Sequence, residues 1–178
     1  KMIILMQCNT NYTASPDNLK FINLKVLESY KKYFPKVILG LSDHTHGHST
    51  VLGSVALGAR VIEKHFTDNN NKVGPDHKFS MNPKTWRQMI DSTRELEYAM
   101  GDGNKKVERN EKNTIILQRR SIRLKKNLKK EQKINKDDLI FLRPCPKDSY
   151  PIYKFKNIIG KKIKRNIKSG DYIKKSDI

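Results

Sequence analysis

Apolar residues recur in two different periods along the first hundred positions, and their alternation sets the predicted architecture. Met2–Gln7 is a short, mostly apolar run, which predicts a parallel strand buried on both faces. Ser15-Pro16-Asp17 is a helix-start signal with proline at an early helical position. Behind it Leu19, Ile22, Leu24, Val26, Leu27 and Tyr30 form one helical stripe to about Lys32. Val37–Leu41 predicts a second strand, Thr50–Ala59 a small-residue helix that packs closely on a sheet, and Arg60–Phe66 a third strand. Asn82-Pro83 opens a last helix to about Met100, carrying Trp86, Met89, Ile90, Leu96 and Tyr98. The order β-α-β-α-β-α calls for a parallel sheet with helical crossovers. Three strands alone leave edges and an exposed face, so the expected setting is the C-terminal portion of a (β/α)8 barrel. Lys1 leads straight into the first strand, which carries the expectation that further chain precedes it.

Beyond Met100 the pattern changes. Gly101–Asn113 is polar and predicts a linker continuing to about Gln118. Short segments follow at Ser121–Leu124, Leu139–Leu142 and Ile158–Ile163, as in a small β-rich module. An internal repeat runs through them at an offset of 39 residues. Asn127-Leu128-Lys129, Ile134, Lys136 and Asp138-Leu139 match Asn166-Ile167-Lys168, Ile173, Lys175 and Asp177-Ile178. Two copies are too few for a solenoid and imply a compact fold with internal symmetry. The expected division is therefore 1–100, a linker at 101–118, and a second domain at 119–178.

Charge changes this picture only in the second part. Of the formal net charge of +19, residues 1–100 hold 13 Lys+Arg against 9 Asp+Glu, and residues 101–178 hold 24 against 9. Such an excess is either a solvated face or an attractor of anions. Nucleic-acid binding as a main function is not expected: it favours interleaved aromatics or a groove-reading helix with clustered Arg, whereas here Lys dominates and aromatics are sparse. Cys8 and Cys145 lie far apart in no CxxC arrangement, which fits a reducing cytosol and a cytoplasmic protein. No apolar run reaches the ~18 residues of a membrane span.

In a parallel α/β fold, functional groups gather at the C-terminal ends of the strands. The first strand ends in Gln7-Cys8-Asn9-Thr10-Asn11-Tyr12, the second in Ser42-Asp43-His44-Thr45, and the third carries Glu63 and His65, with Gly74-Pro75-Asp76-His77-Lys78 following. Two imidazoles at one end of neighbouring strands, with Glu63 and Asp43 beside them, can bind a divalent ion acting as a Lewis acid. Glu63 and His65 are two apart and so share a face. His46 and His48 read as loop or helix-start residues, Cys8 as a buried small residue and Trp86 as packing.

Gly40-Leu41-Ser42-Asp43-His44-Thr45, Glu63-Lys64-His65-Phe66-Thr67 and Gly74-Pro75-Asp76-His77-Lys78 with Ser80-Met81 resemble, in order and spacing, the motifs of the sialic acid synthase family. That family includes the N-acetylneuraminate, legionaminate and pseudaminate synthases. Arg119-Arg120-Ser121 and Arg143-Pro144 resemble the entry and the Arg-Pro step of its antifreeze-like (SAF) domain. The resemblance implies that His44 and His65 are Mn²⁺ ligands, that Ser42 and Thr10 contact phosphoenolpyruvate, and that Glu63 lies beside the reacting carbon and the metal-bound water. It implies further that Tyr12 and Asp76 contact the open-chain amino sugar. Arg143 would reach the neighbouring subunit of a domain-swapped dimer and hold the N-acetyl group.

The implied reaction condenses phosphoenolpyruvate with N-acetylmannosamine or a related N-acetylated hexose, releasing phosphate. The sequence departs from the family at Cys145, where glycine is usual after Arg-Pro. The family's first five barrel strands, with their phosphate-gripping lysines, have no counterpart here, so the chain by itself is expected to be inactive. Two other readings stay open: a non-catalytic basic anion-binding module, and a half-protein that pairs with a separate N-terminal half.

Overall fold

Three parallel strands organise the first of two units in this computed structural model, which describes residues 1–12 and 15–178. They are β1 (Ile4–Cys8), β2 (Ile38–Asp43) and β3 (Val61–Lys64), side by side in that order. The central strand β2 is the buried one, with Leu39 and Leu41 inside. β1 is an edge strand in this chain, and Met2, Ile3 and Ile4 are exposed. Burial on both faces, expected from its composition, is therefore not found: the apolar run has a strand neighbour on one side only. Cys8, expected inside, is exposed at the end of that edge.

The helix expected from Pro16 to Lys32 is two pieces, a 3₁₀ turn at Pro16–Phe21 and α1 at Val26–Tyr33. Asn23 breaks it with a φ of 50°, a conformation asparagine tolerates better than most residues. Ile22 and Leu27, five apart, would lie about 140° from each other on one continuous helix. The break lets both be buried.

α2 (Ser49–Ala56) buries Val51 and Val55. α3 (Pro83–Met100) starts at a reciprocal cap: the Asn82 side chain accepts from the Thr85 amide at 3.0 Å, and the Thr85 hydroxyl accepts from the Asn82 amide at 2.9 Å. Val51, Met81 and Met89 form the core between these helices and the sheet, with Trp86 against it and edge-on to Phe66. Trp86 is thus packing, as expected.

Gly40 sits in β2 between Met6 and Val61. A Cβ there would meet the Val61 carbonyl oxygen at 2.8 Å and Met6 Cγ at 2.9 Å. Backbone cannot move aside as a side-chain tip can. Gly40→Ala is expected to destabilise the first unit by about 1–3 kcal/mol, the usual range for overpacking, read by urea unfolding followed through Trp86 fluorescence.

The second unit, Lys105–Ile178, takes in much of the expected linker stretch. Residues 109–111 form a 3₁₀ turn and α4 spans Ile115–Gln118, whose Ile116 carbonyl accepts from the Cys145 amide. β4 (Ser121–Leu124) and β5 (Leu139–Leu142) pair antiparallel. Residues 158–163, expected as a third such segment, form no named strand and join by an isolated bridge between Lys162 and Lys133.

The repeat is an approximate twofold in space. Leu128 and Ile167, equivalent positions, exchange backbone hydrogen bonds of 3.0 and 2.9 Å. The Ile134 amide donates to the Lys161 carbonyl, and its equivalent Ile173 donates to Ile122, the equivalent of Lys161. Asn166 accepts from the Lys130 amide and Asn127 from the Ser169 amide, the same bond reciprocated. Even the left-handed residue repeats: Glu131 (φ 67°) corresponds to Gly170 (φ 87°). Ile122, Leu124, Leu128, Ile134, Ile158, Ile163, Ile167 and Ile173 form the core about this axis.

Each copy closes on a buried carboxylate. Asp138 meets Lys126 at 2.7 Å and accepts from the Asn135 amide; Asp177 meets Arg165 at 2.6 Å and accepts from the Lys174 amide. Burial acts to raise the Asp138 carboxyl, but the Lys126 ammonium and the Asn135 amide outweigh it and hold it below the ordinary carboxylate range. A carboxyl held low in the folded state adds stability above its unfolded value of about 3.9 and loses it as pH falls through the folded value. Thermal unfolding of the wild type should therefore drop below about pH 4, and Asp138→Asn should flatten that part of the profile.

Candidate active site

β2 and β3 end side by side, with Ser42 opposite Glu63 and Asp43 opposite Lys64. Side chains alternate along a strand, so Ser42 and Glu63 share one face and Asp43 and Lys64 the other. The Ser42 hydroxyl donates to a Glu63 carboxylate oxygen. One step beyond, on the same alternation, come His44 and His65. Their rings lie 5.0 Å apart, centroid to centroid, at 72°. Tyr12, from the loop after β1, stands 4.1 Å from the His44 ring and 5.6 Å from that of His65. Phe79 flanks both imidazoles.

Each imidazole is oriented through Nδ1. That of His44 is 2.9 Å from the Asn9 carbonyl oxygen. A carbonyl only accepts, so this nitrogen carries a hydrogen and Nε2 is the atom left to ligate a metal. His65 Nδ1 lies 3.4 Å from an Asp76 carboxylate oxygen, which favours the same tautomer. In both residues Nδ1 is thus engaged by a protein oxygen, which leaves Nε2 as the ring atom for a metal. Among the described residues no three His, Cys, Asp or Glu side chains form a complete ligand set. The donors present fit a metal held by two imidazoles, with its other positions left to water or substrate.

The loop from Thr67 to Met81 holds Asp76 in place. Thr67 Oγ1 is 2.8 Å from His77 Nδ1, the Asn70 amide donates to the His77 and Ser80 carbonyls at 2.7 and 2.8 Å, and the Ser80 hydroxyl donates to the Asp76 carbonyl at 2.6 Å. Asn82 in turn donates to Asn70 at 2.7 Å, tying the loop to the start of α3. The sequence reading passed over Asn70, and one polar residue among three asparagines offered no signal. Asp68 is exposed at the same strand end, and its hydrogen bond from Lys72 holds the carboxyl below its ordinary value.

The structure therefore gathers Tyr12, Ser42, His44, Glu63, His65 and Asp76 at one end of the sheet. Thr10 is exposed in the loop after β1. Arg143 belongs to the second unit, where it is exposed and its Nε donates to the Gln118 carbonyl at 2.7 Å; its peptide bond to Pro144 is cis. Asp43, expected beside the histidines, instead points to the opposite face and is bonded to Lys64 and Thr50. The alternation along the strand, applied to Ser42-Asp43-His44, carried that information. His48 is the cap residue of α2, a helix-start position as read.

Comparison with known proteins bears on this site. Residues 1–105 match the model of the NeuB family and residues 119–178 that of the SAF domain. The N,N'-diacetyllegionaminic acid synthase of Campylobacter jejuni is 38% identical over 172 residues, 97% of this chain and 50% of that protein. The pseudaminic acid synthase of the same organism is 34% identical over 178 residues, and the human N-acetylneuraminate-9-phosphate synthase 30% over 168. The chain spans about half the length of the curated relatives it matches.

Among solved structures, the spore coat polysaccharide biosynthesis protein E of Chromobacterium violaceum shares the fold at a TM-score of 0.61, with 20% identity over 98% of this chain and 52% of that one. An N-acetylneuraminic acid synthetase from Leptospira borgpetersenii, in complex with citrate, matches 63% of this chain and 38% of its own at a TM-score of 0.54 and 28% identity. The expected fold, closing β/α units of a barrel followed by a small SAF domain, agrees with these matches. With the family model covering more than half its length, and the histidine, serine and glutamate motifs meeting at one strand end, this chain belongs to the NeuB family.

Proposed function

We propose that this chain supplies one side of the active site of a nonulosonic acid synthase, which condenses phosphoenolpyruvate with an N-acetylated hexose in its aldehyde form. The observation that carries the reading is the meeting of His44 and His65 beside the Ser42–Glu63 pair. In the reaction, C3 of phosphoenolpyruvate attacks the aldehyde carbon, water adds at C2, and phosphate leaves with cleavage of its C–O bond. A divalent ion such as Mn²⁺, held by His44 and His65, would supply Lewis-acid stabilisation of charge on the aldehyde oxygen.

The chain's own residues do the rest. Ser42 and Thr10 bind phosphoenolpyruvate. Glu63, hydrogen-bonded by Ser42, orients the water that adds at C2 and takes up its proton. Tyr12 and Asp76 position the sugar. Arg143 serves the site of a partner subunit in a domain-swapped dimer, and the enzyme works in the cytoplasm. No helix of the described residues is long and apolar enough to cross a membrane.

The sugar is N-acetylmannosamine or a 2,4-diacetamido relative. The 38% identity to a diacetyllegionaminic acid synthase against 30% to the human N-acetylneuraminate-9-phosphate synthase supports testing the diacetamido sugar alongside the first. The purified 178-residue chain should release no phosphate from phosphoenolpyruvate with either sugar, because the rest of the anion site lies elsewhere. A version extended at the N-terminus to the length of the relatives should release it with one of them. Failure of the extended version with every N-acetylated hexose aldehyde would overturn the proposal.

A further inference from the structure

We infer that the buried Asp43–Lys64 pair is a positioning device that sets His44 and His65 at their working separation, an inference that rests on the proposed metal-binding role of those histidines. The two side chains meet at 2.6 Å and are 0% and 1% exposed. Lys64 Nζ also donates to the Thr45 carbonyl at 2.7 Å, and Asp43 accepts from the Thr45 amide at 3.0 Å. A third bond to Asp43, 2.6 Å from the Thr50 hydroxyl, fastens the group to α2. The residues immediately before and after His44 are therefore both tied to the residue immediately before His65. The network lies on the face of the sheet away from the imidazoles.

Stability alone does not account for this arrangement. A buried ion pair is a poor way to gain stability, and apolar residues of like volume commonly replace one without loss. What such a pair supplies is direction. Asp43 and Lys64 are the last register partners of β2 and β3, where the ladder ends and the strand tips are least restrained. A slip of one residue would turn a histidine to the wrong face. Groups hydrogen-bonded to metal-ligating histidines typically change metal affinity about 10–100-fold when removed, and a pair that sets the strand tips carrying both ligands is expected to act on a similar scale.

The test compares the 178-residue chain with Lys64→Met and with the double variant Asp43→Leu/Lys64→Met. Three signals are read: thermal unfolding, Co²⁺ binding by visible absorption, and the imidazole ¹⁵N spectra of His44 and His65. The single variant should unfold at lower temperature, because it strands a buried carboxylate. The double variant should recover most of that temperature, yet bind Co²⁺ at least ~10-fold more weakly and show imidazole signals averaged over both tautomers.

A double variant that regains wild-type Co²⁺ affinity and unchanged imidazole spectra would reduce the pair to a structural one and overturn the inference. If the wild type itself binds no Co²⁺, the metal reading fails, and the imidazole spectra decide positioning without it: unchanged spectra in the double variant refute it. Should the double variant not fold, Thr50→Val deletes one bond to Asp43 at nearly constant shape and is judged by the same signals.

Discussion

His65→Ala is expected to weaken divalent-metal binding by more than ~100-fold, beyond what loss of a group merely orienting a ligand costs. It is a cleaner test than His44→Ala. His44 is buried and its Nδ1 is bonded to the Asn9 carbonyl, so removing it also strands a backbone acceptor. The His65 side chain is 22% exposed and its partner Asp76 is 49% exposed, so its removal should leave the fold nearly as stable. Titration of Mn²⁺ by electron paramagnetic resonance reads affinity, and thermal unfolding serves as the control. Asp76→Asn should lower affinity by about tenfold, because it removes the charge that orients His65 and leaves the ligand. Unchanged Mn²⁺ affinity in His65→Ala would remove the metal site from the proposal.

Ile173→Ala should cost the second unit about 2–5 kcal/mol, as for large-to-small changes in a packed core. That is a large part of the 5–15 kcal/mol typical of a folded domain. Ile173 is fully buried, and so is its repeat mate Ile134. The approximate twofold gives both the same core and the same reciprocal hydrogen bonds, so Ile134→Ala should cost a similar amount. The two losses should not add in the double variant, because both side chains enter one cluster. Amide hydrogen exchange at Leu128 and Ile167, which bond to each other across the axis, reports the loss directly. A cost below 1 kcal/mol would mean that the cluster reorganises around the gap.

Much of this was readable along the chain. The bounds of β4 and β5 follow from their short apolar steps, and the start of α3 from Asn82-Pro83. The 39-residue repeat was visible as spacing, though spacing could not say that the copies clasp each other through Leu128 and Ile167. Other features depended on neighbours. A run such as Met2–Gln7 has the composition of a buried strand, but what flanks it decides whether it is buried. The break at Asn23 arises because Ile22 and Leu27 must both reach the interior, a demand the stripe of apolar residues does not express.

The Ser-Asp-His and Glu-Lys-His triplets show where the two kinds of information part. Sequence by itself determined that these six residues end two neighbouring strands, because apolar periodicity and strand-end chemistry are local properties. It also determined which residue types could bind a metal. Only the tertiary structure decided which member of each triplet faces the site. Alternation sets a period of two but not its phase, and the phase is chosen by what packs behind the strand. Here α2 brings the Thr50 hydroxyl up behind β2 to bond Asp43, Asp43 and Lys64 pair with each other on that face, and Ser42, His44, Glu63 and His65 are left on the other.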